Sequence, residues 1–194
     1  MLLFKEQNSV LNPSELRDAL IELTYYNSTN HPNKLASTEW SSTVNITQEL
    51  SDETGIIKTS IDKVITLVQD ALEITVDDFK AYGQYFTQSE TEPPIHRDYI
   101  TGFDPVYAPD HVAILYMSHN GWKSNLEFWE QAHPEIEFLM EEASKPNALV
   151  HTTELSQNEL VVFNHDLAHR FYPPSWGNFS NDSGLMLILF LQTS

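Results

Sequence analysis

"ELVVFNHDLAHRFYP", residues 159–173, decides what kind of fold this chain builds. His165 and His169 stand four apart, the spacing by which one face of a helix offers two imidazoles to a metal. Their neighbours argue against a helix. Leu160 to Phe163 is a run of β-branched and aromatic residues, Asn164-His165-Asp166 carries turn chemistry, and His169 to Tyr172 resumes a strand-like run that Pro173 ends. The reading is strand, turn, strand, with His165 in the turn and His169 on the second strand.

Working outward, the same texture fills the sequence from residue 75 onward. "FKAYGQYF" (79–86), "HVAILYMS" (111–118), "SNLEFWE" (124–130), "ALVHTTE" (148–154), "ELVVFN" (159–164), "HRFYP" (169–173) and "GLMLILFLQ" (184–192) are short runs rich in β-branched and aromatic residues. "HPEIEFLMEEASK" (133–145) reads as a short amphipathic helix inserted among them. Before residue 75 the period is helical. Asn12 and Pro13 open a helix expected over 13–26, carried by Leu16, Leu20 and Leu23, and "TSIDKVITLVQDAL" (59–72) sets Ile61, Val64, Leu67, Val68 and Leu72 along one face. Residues 27–56, rich in Ser, Thr and Asn, read as loop with one short strand. Helices followed by about seven strands, with no βαβ alternation, predict one mainly β domain: a helical N-terminal buttress over 1–74 and a β-sandwich or barrel over 75–194.

Composition removes several kinds of chemistry. There is no cysteine, so disulfides, thiolate metal sites and cysteine nucleophiles are excluded and any metal is held by nitrogen and oxygen. With 28 acidic against 10 basic residues the formal charge is −18, and no basic cluster offsets it, which argues against nucleic acid and anionic membranes as partners. The acids are scattered, as on a solvated surface. The opening "MLLFKEQNSVLN" has too short an apolar run for a signal peptide, and no stretch approaches the ~18–20 apolar residues of a membrane span. The expectation is a cytoplasmic protein.

Eight histidines are present, and most sit in plain settings. His31, His119 and His133 lie in polar turns, and His151 in a strand reads as an ordinary face or core residue. The informative set is His96, Asp98 and His169. In "PPIHRDYITGF" (93–103) His96 and Asp98 are two apart, which puts both on one side of an extended backbone, and a histidine follows about 70 residues later. Two imidazoles and one carboxylate in that layout make a facial triad for non-heme Fe(II), which leaves the opposite coordination positions open.

With the Tyr/Gly strand "FKAYGQYF", the His-Arg-Asp-Tyr motif, "VAILYMS", Leu126-Glu127-Phe128 and "LVVF" before His169, residues 79–192 resemble the Fe(II)/2-oxoglutarate-dependent oxygenase superfamily, and "HRDY" is similar to the metal motif of its small proline-hydroxylase-like members. The resemblance implies a double-stranded β-helix (jelly-roll) core, with His96, Asp98 and His169 as metal ligands. It also implies a hydroxylase that uses Fe(II), O2 and 2-oxoglutarate, supported by ascorbate, on a small molecule or a peptide side chain. One oxygen atom would enter the substrate's C–H bond and the other the succinate left when 2-oxoglutarate loses CO2. A carboxylate at position 98, where Gly or Ala would open a halide position, points to hydroxylation.

The departure from the family lies at the far carboxylate of 2-oxoglutarate, which members hold with an Arg or Lys on the last core strand. No Lys or Arg follows Arg170 here. Arg97 and Arg170 each stand next to an expected ligand, so alternation turns them away from the metal. His111, at the start of the next strand, and Tyr82, on the preceding one, are the residues expected to bind the co-substrate. Lys80 shares the strand face of Tyr82. Two other readings stand beside this one. A cupin-like oxygenase or isomerase would use the same ligands without 2-oxoglutarate, and a non-catalytic β-sandwich binding protein would carry its histidines incidentally.

Overall fold

The computed structural model describes residues 2–25, 41–46, 55–86, 109–118, 123–129, 149–172 and 184–194. Their order is β1 (Leu2–Gln7), α1 (Pro13–Ile21), β2 (Ser41–Asn45), α2 (Ile56–Leu72), β3 (Val76–Phe86), β4 (His111–Tyr116), β5 (Ser124–Trp129), β6 (Leu149–Leu155), β7 (Glu159–Asn164), β8 (Ala168–Tyr172) and β9 (Leu185–Thr193). The strands form a six-stranded sheet, β1-β7-β4-β9-β3-β2, and a three-stranded sheet, β6-β5-β8. Every pairing is antiparallel. From β4 to β9 the chain passes back and forth between the two sheets, so this is a jelly-roll core with helices against it.

Strand alternation divides the apolar residues into two layers. Ala113, Leu115 and Met117 of the β4 segment, Leu160 and Val162 of β7, and Leu185, Leu187, Leu189 and Leu191 of β9 pack with Leu16 and Leu20 of α1 and Ile61, Val64 and Val68 of α2. The alternate residues Val112, Ile114, Tyr116, Val161, Phe163, Met186, Ile188 and Phe190 meet Leu126, Phe128, Leu155 and Phe171 of the small sheet. β4, β7 and β9 are buried on both faces, which is why their sequences are continuously apolar. Full burial of side chains such as Phe128 and Phe163 contributes about 1.5–3 kcal/mol each.

The helices differ from their expected bounds for identifiable reasons. α1 ends at Ile21 rather than running to residue 26. Tyr25 leaves the helical path, donates its hydroxyl to the Leu20 carbonyl oxygen at 3.0 Å and sets its ring edge-on to Tyr85 at 4.8 Å. That packing needs Gly83, where a Cβ would stand 2.7 Å from the Tyr25 hydroxyl and 2.9 Å from Val44. α2 starts at Ile56, after Gly55 in an extended conformation, and closes on Glu73 in the left-handed region (φ 55) with the Ile74 amide on the Gln69 carbonyl. The amphipathic segment over 133–145 lies outside the described residues.

Among the described residues of the first 74, two strands occur besides the helices. β2 is the short strand expected in the polar stretch, while β1 carries no alternating pattern and owes its form to pairing with β7. Lys5 of β1 forms an ion pair with the buried carboxylate of Glu159 at 2.9 Å, and that carboxylate also accepts from the Ser156 amide at 2.7 Å. Asn158, in the β6–β7 turn with φ 61, clamps the same region. Its side chain accepts from the Val10 amide at 2.9 Å and donates to the Val10 carbonyl at 2.8 Å.

Candidate metal and co-substrate site

The turn that carries the chain from β7 in the large sheet to β8 in the small sheet places the two histidines of this stretch. After Asn164 the backbone turns, the Leu167 amide returns to the Asn164 carbonyl at 3.0 Å, and the His165 amide donates to the Asp110 carbonyl at 3.1 Å. His165 therefore sits in the turn and His169 on β8. His169 is 3% exposed and lies edge-on to Phe163 of the opposite sheet, ring centres 4.9 Å apart. Its Nδ1 is 3.0 Å from the Leu167 carbonyl oxygen. A carbonyl only accepts, so Nδ1 is the donor in that bond. That bond fixes the orientation of the buried ring.

The other two expected ligands, His96 and Asp98, lie outside the described residues. Among the described residues no group of three histidines and carboxylates comes together in a way that would hold a metal.

Tyr82 lies on β3 opposite Ile188 of β9, 5% exposed, and belongs to the layer between the sheets that also receives Phe163 and Phe128. Its ring meets Phe190 edge-on at 5.6 Å. Burial pushes its hydroxyl pKa up to about 12, so the group keeps its proton and acts as a donor at any working pH.

His111 is turned the other way. On β4 the residues Val112, Ile114 and Tyr116 face the small sheet, so His111 has the parity of Ala113 and Leu115, which pack with the helices. Consistent with that side, its Nδ1 lies 3.5 Å from the hydroxyl of Thr193, which follows Leu189 and Leu191 in the alternation of β9. The inward direction expected of His111 is thus reversed, and the interior shared by Tyr82 and His169 lies across the sheet from it. Burial chiefly lowers its pKa, His165 lowers it further and Asp110 opposes both.

Solved structures share this architecture. A prolyl-4-hydroxylase of Pseudomonas putida matches with a TM-score of 0.53 and 12% identity, over 97% of this chain and 91% of its own. HygX of Streptomyces hygroscopicus, solved with nickel and 2-oxoglutarate bound, matches with a TM-score of 0.50 and 12% identity, over 96% and 80%. The protein has the 2-oxoglutarate-oxygenase fold. The non-heme alpha-ketoglutarate-dependent epimerase SnoN, from nogalamycin biosynthesis, shares that fold with a TM-score of 0.53 and 10% identity, over 95% and 75%. No family model and no curated protein matches the sequence.

Within this oxygenase fold the small sheet carries a row of three rings. His169, Phe128 and His151 are register partners on β8, β5 and β6, and Phe128 stacks on His151 with centres 6.2 Å apart. By its sequence setting alone His151 is an ordinary strand residue. The structure shows it exposed at the outer end of that row, beside a register shift at Val150. Arg170 is held on the opposite face: its Nε and Nη2 donate to Glu127 Oε2 at 3.0 and 2.7 Å, and its guanidinium lies over Trp129.

Proposed function

We propose that this protein is a non-heme Fe(II) oxygenase that uses 2-oxoglutarate to hydroxylate a C–H bond of a small molecule or of a peptide side chain, with His96, Asp98 and His169 as metal ligands. The observation that carries the reading is His169, buried between the sheets with its Nδ1 donating to the Leu167 carbonyl, which leaves Nε2 as the nitrogen it would offer a metal. The His96–Asp98 spacing and the oxygenase fold support the rest of the set.

An Fe(II) ion bound there would supply the redox chemistry that joins O2 to the oxo acid and the substrate. The protein's own residues do the remaining work. His169 offers Nε2 in a fixed orientation, because its ring is held by Leu167 at one edge and by Phe163 against its side. Phe128, Phe163 and Phe171 line the space between the sheets and exclude water from it, which strengthens every electrostatic contact made inside. Tyr82, protonated throughout, donates a hydrogen bond to a bound carboxylate. No nucleic acid or membrane role is proposed: the charge is −18, and among the described residues no helix is long and apolar enough to cross a membrane.

The test is conversion of 2-oxoglutarate to succinate by the Fe(II)-loaded protein in air with ascorbate, alone and with candidate substrates. Slow succinate formation without substrate is expected. A second reading, a cupin-like oxygenase or isomerase that does without 2-oxoglutarate, is favoured by one observation: β9 bears no cationic residue and Arg170 is committed to Glu127. Metal binding with no succinate and no 2-oxoglutarate binding would select it.

A further inference from the structure

β6 is an outer strand of the small sheet: β5 pairs with one side of it, and among the described residues no strand pairs with the other. Lys5 of β1 donates its Nζ to the Glu154 carbonyl oxygen, so the peptide group there faces away from β5 and is capped. Peptide groups two apart on a strand point the same way, which turns those of Thr152 outward as well. Leu149, Val150, His151 and Thr152 are all exposed. Of the three exposed large apolar residues among the described ones, Leu149 (49%) and Val150 (63%) both belong to this edge. An open apolar edge is a template for a further strand, and proteins ordinarily guard it with charge, proline or cover. Here Lys5 guards one end only.

The edge is continuous with the candidate site. His151 is the register partner of Phe128 and stacks on it, and Phe128 meets Phe163 edge-on at 5.2 Å, the ring against which His169 lies. The register shift at Val150 falls at this point, where a bulge re-aims the strand. With strands ~4.8 Å apart, a strand added to β6 lies roughly 14 Å from β8, a gap that an extended chain covers in about four residues. A chain docked on β6 thus reaches His169 with a residue about four positions beyond the docked segment.

Charge selects the partner. The protein carries −18, and the stretch of sequence leading into β6, residues 130–148, has five glutamates against one lysine. Residues 149–153 include no Asp, Glu, Lys or Arg, so an incoming strand meets no fixed charge on the edge itself. A second copy of the chain would bring −18 against −18, whereas a segment rich in lysine or arginine is drawn in by the same field. We infer that the free edge of β6 is a docking surface for an extended, basic polypeptide segment, which adds to the small sheet as a strand beside β6. Its part in catalysis, holding a peptide substrate at a distance from the reacting residue, rests on the oxygenase reading above; the docking itself does not.

The experiment keeps the two apart. The full chain, with Mn(II) in place of iron so that no turnover occurs, is titrated calorimetrically with a blocked decapeptide of alternating lysine and valine and with its glutamate–valine counterpart, and amide hydrogen exchange is followed with each. The lysine peptide is expected to bind and to slow exchange at Thr152 and its β6 neighbours by about tenfold or more, and the glutamate peptide to do neither. Thr152→Pro removes the outward N–H at unchanged charge and should weaken binding by about tenfold or more. The wild-type exchange map decides the question even if that variant fails to fold. No binding of the lysine peptide, protection elsewhere than on β6, or equal binding by a folded Thr152→Pro would overturn the docking surface. Equal binding of the glutamate peptide would overturn the basic partner, and a dimer of the free protein that Thr152→Pro dissociates would give the edge to a second copy instead. Docking on β6 in a protein that forms no succinate would support the surface and overturn its part in catalysis alone.

Discussion

His169 and Arg170, neighbours on β8, point to opposite faces of the small sheet: His169 Nδ1 meets the Leu167 carbonyl inside, and Arg170 gives two N–H groups to one oxygen of Glu127 outside. A single step of strand alternation separates a candidate ligand from a residue that holds the sheet together. Arg170→Ala should therefore lower stability by about 1–3 kcal/mol, since a part-buried Glu127 loses its charged partner, while co-substrate affinity stays unchanged. Urea unfolding and Mn(II)/2-oxoglutarate calorimetry on one preparation read both effects.

The two histidines of the β7–β8 connection should separate cleanly. His169→Ala removes a ligand and is expected to weaken Mn(II) or Fe(II) binding by more than the roughly 10–100-fold typical of losing a supporting residue. His165→Ala, in the turn, should leave metal affinity within a few-fold. Equal effects of the two substitutions on metal titrations would contradict the assignment.

Asn158 offers a test of the fold independent of any ligand. Asn158→Ala removes both side-chain hydrogen bonds to Val10 and puts at φ 61 a residue that tolerates the left-handed region less well than asparagine, so a loss of about 2–4 kcal/mol is expected. Asn158→Gly loses the same bonds but tolerates the dihedral, and should be about 1 kcal/mol less damaging. Denaturant midpoints of the two variants give the difference directly.

His111 gives the stability a pH dependence of known sign. The groups around it are Asp110, His165 and the Thr193 hydroxyl, and the net result is a pKa below the ordinary 6.5. The unfolded protein then binds the proton more readily than the folded one. This group's contribution is present above pH 6.5 and is lost as pH falls through the lowered value. His111→Gln should show a shallower fall in stability between about pH 7 and pH 5 than wild type. Identical slopes in urea unfolding across that window would show that another group sets the acid limb.

Much of this architecture is legible in the residues, and the exceptions have physical causes. "LVVF" and "HRFY" read as strands around a turn because β-branched and aromatic runs flank Asn-His-Asp, and that reading puts His169 rather than His165 on β8. Tyr82 and Lys80 are assigned to one face by simple alternation. His111 is misread because "HVAILYMS" is apolar on both faces: helices bury one and the small sheet the other, so the pattern carries no sign of which side is which. β1 is missed because "LLFKEQ" has no alternation of its own, and its strand form is set by β7 at long range. Past the end of α1, Tyr25 packs edge-on to Tyr85 in space left open at Gly83, both distant in sequence.

The central claim is that His96, Asp98 and His169 together hold an iron that accepts 2-oxoglutarate. Its most direct test is an anaerobic titration of the Fe(II)-loaded protein with 2-oxoglutarate, followed by the visible absorption that arises when the oxo acid binds to the metal. Wild type should bind Fe(II) stoichiometrically and develop a saturable band, and Asp98→Ala and His169→Ala should each abolish it. Absence of stoichiometric Fe(II) in wild type, or a band that survives both substitutions unchanged, would contradict the account.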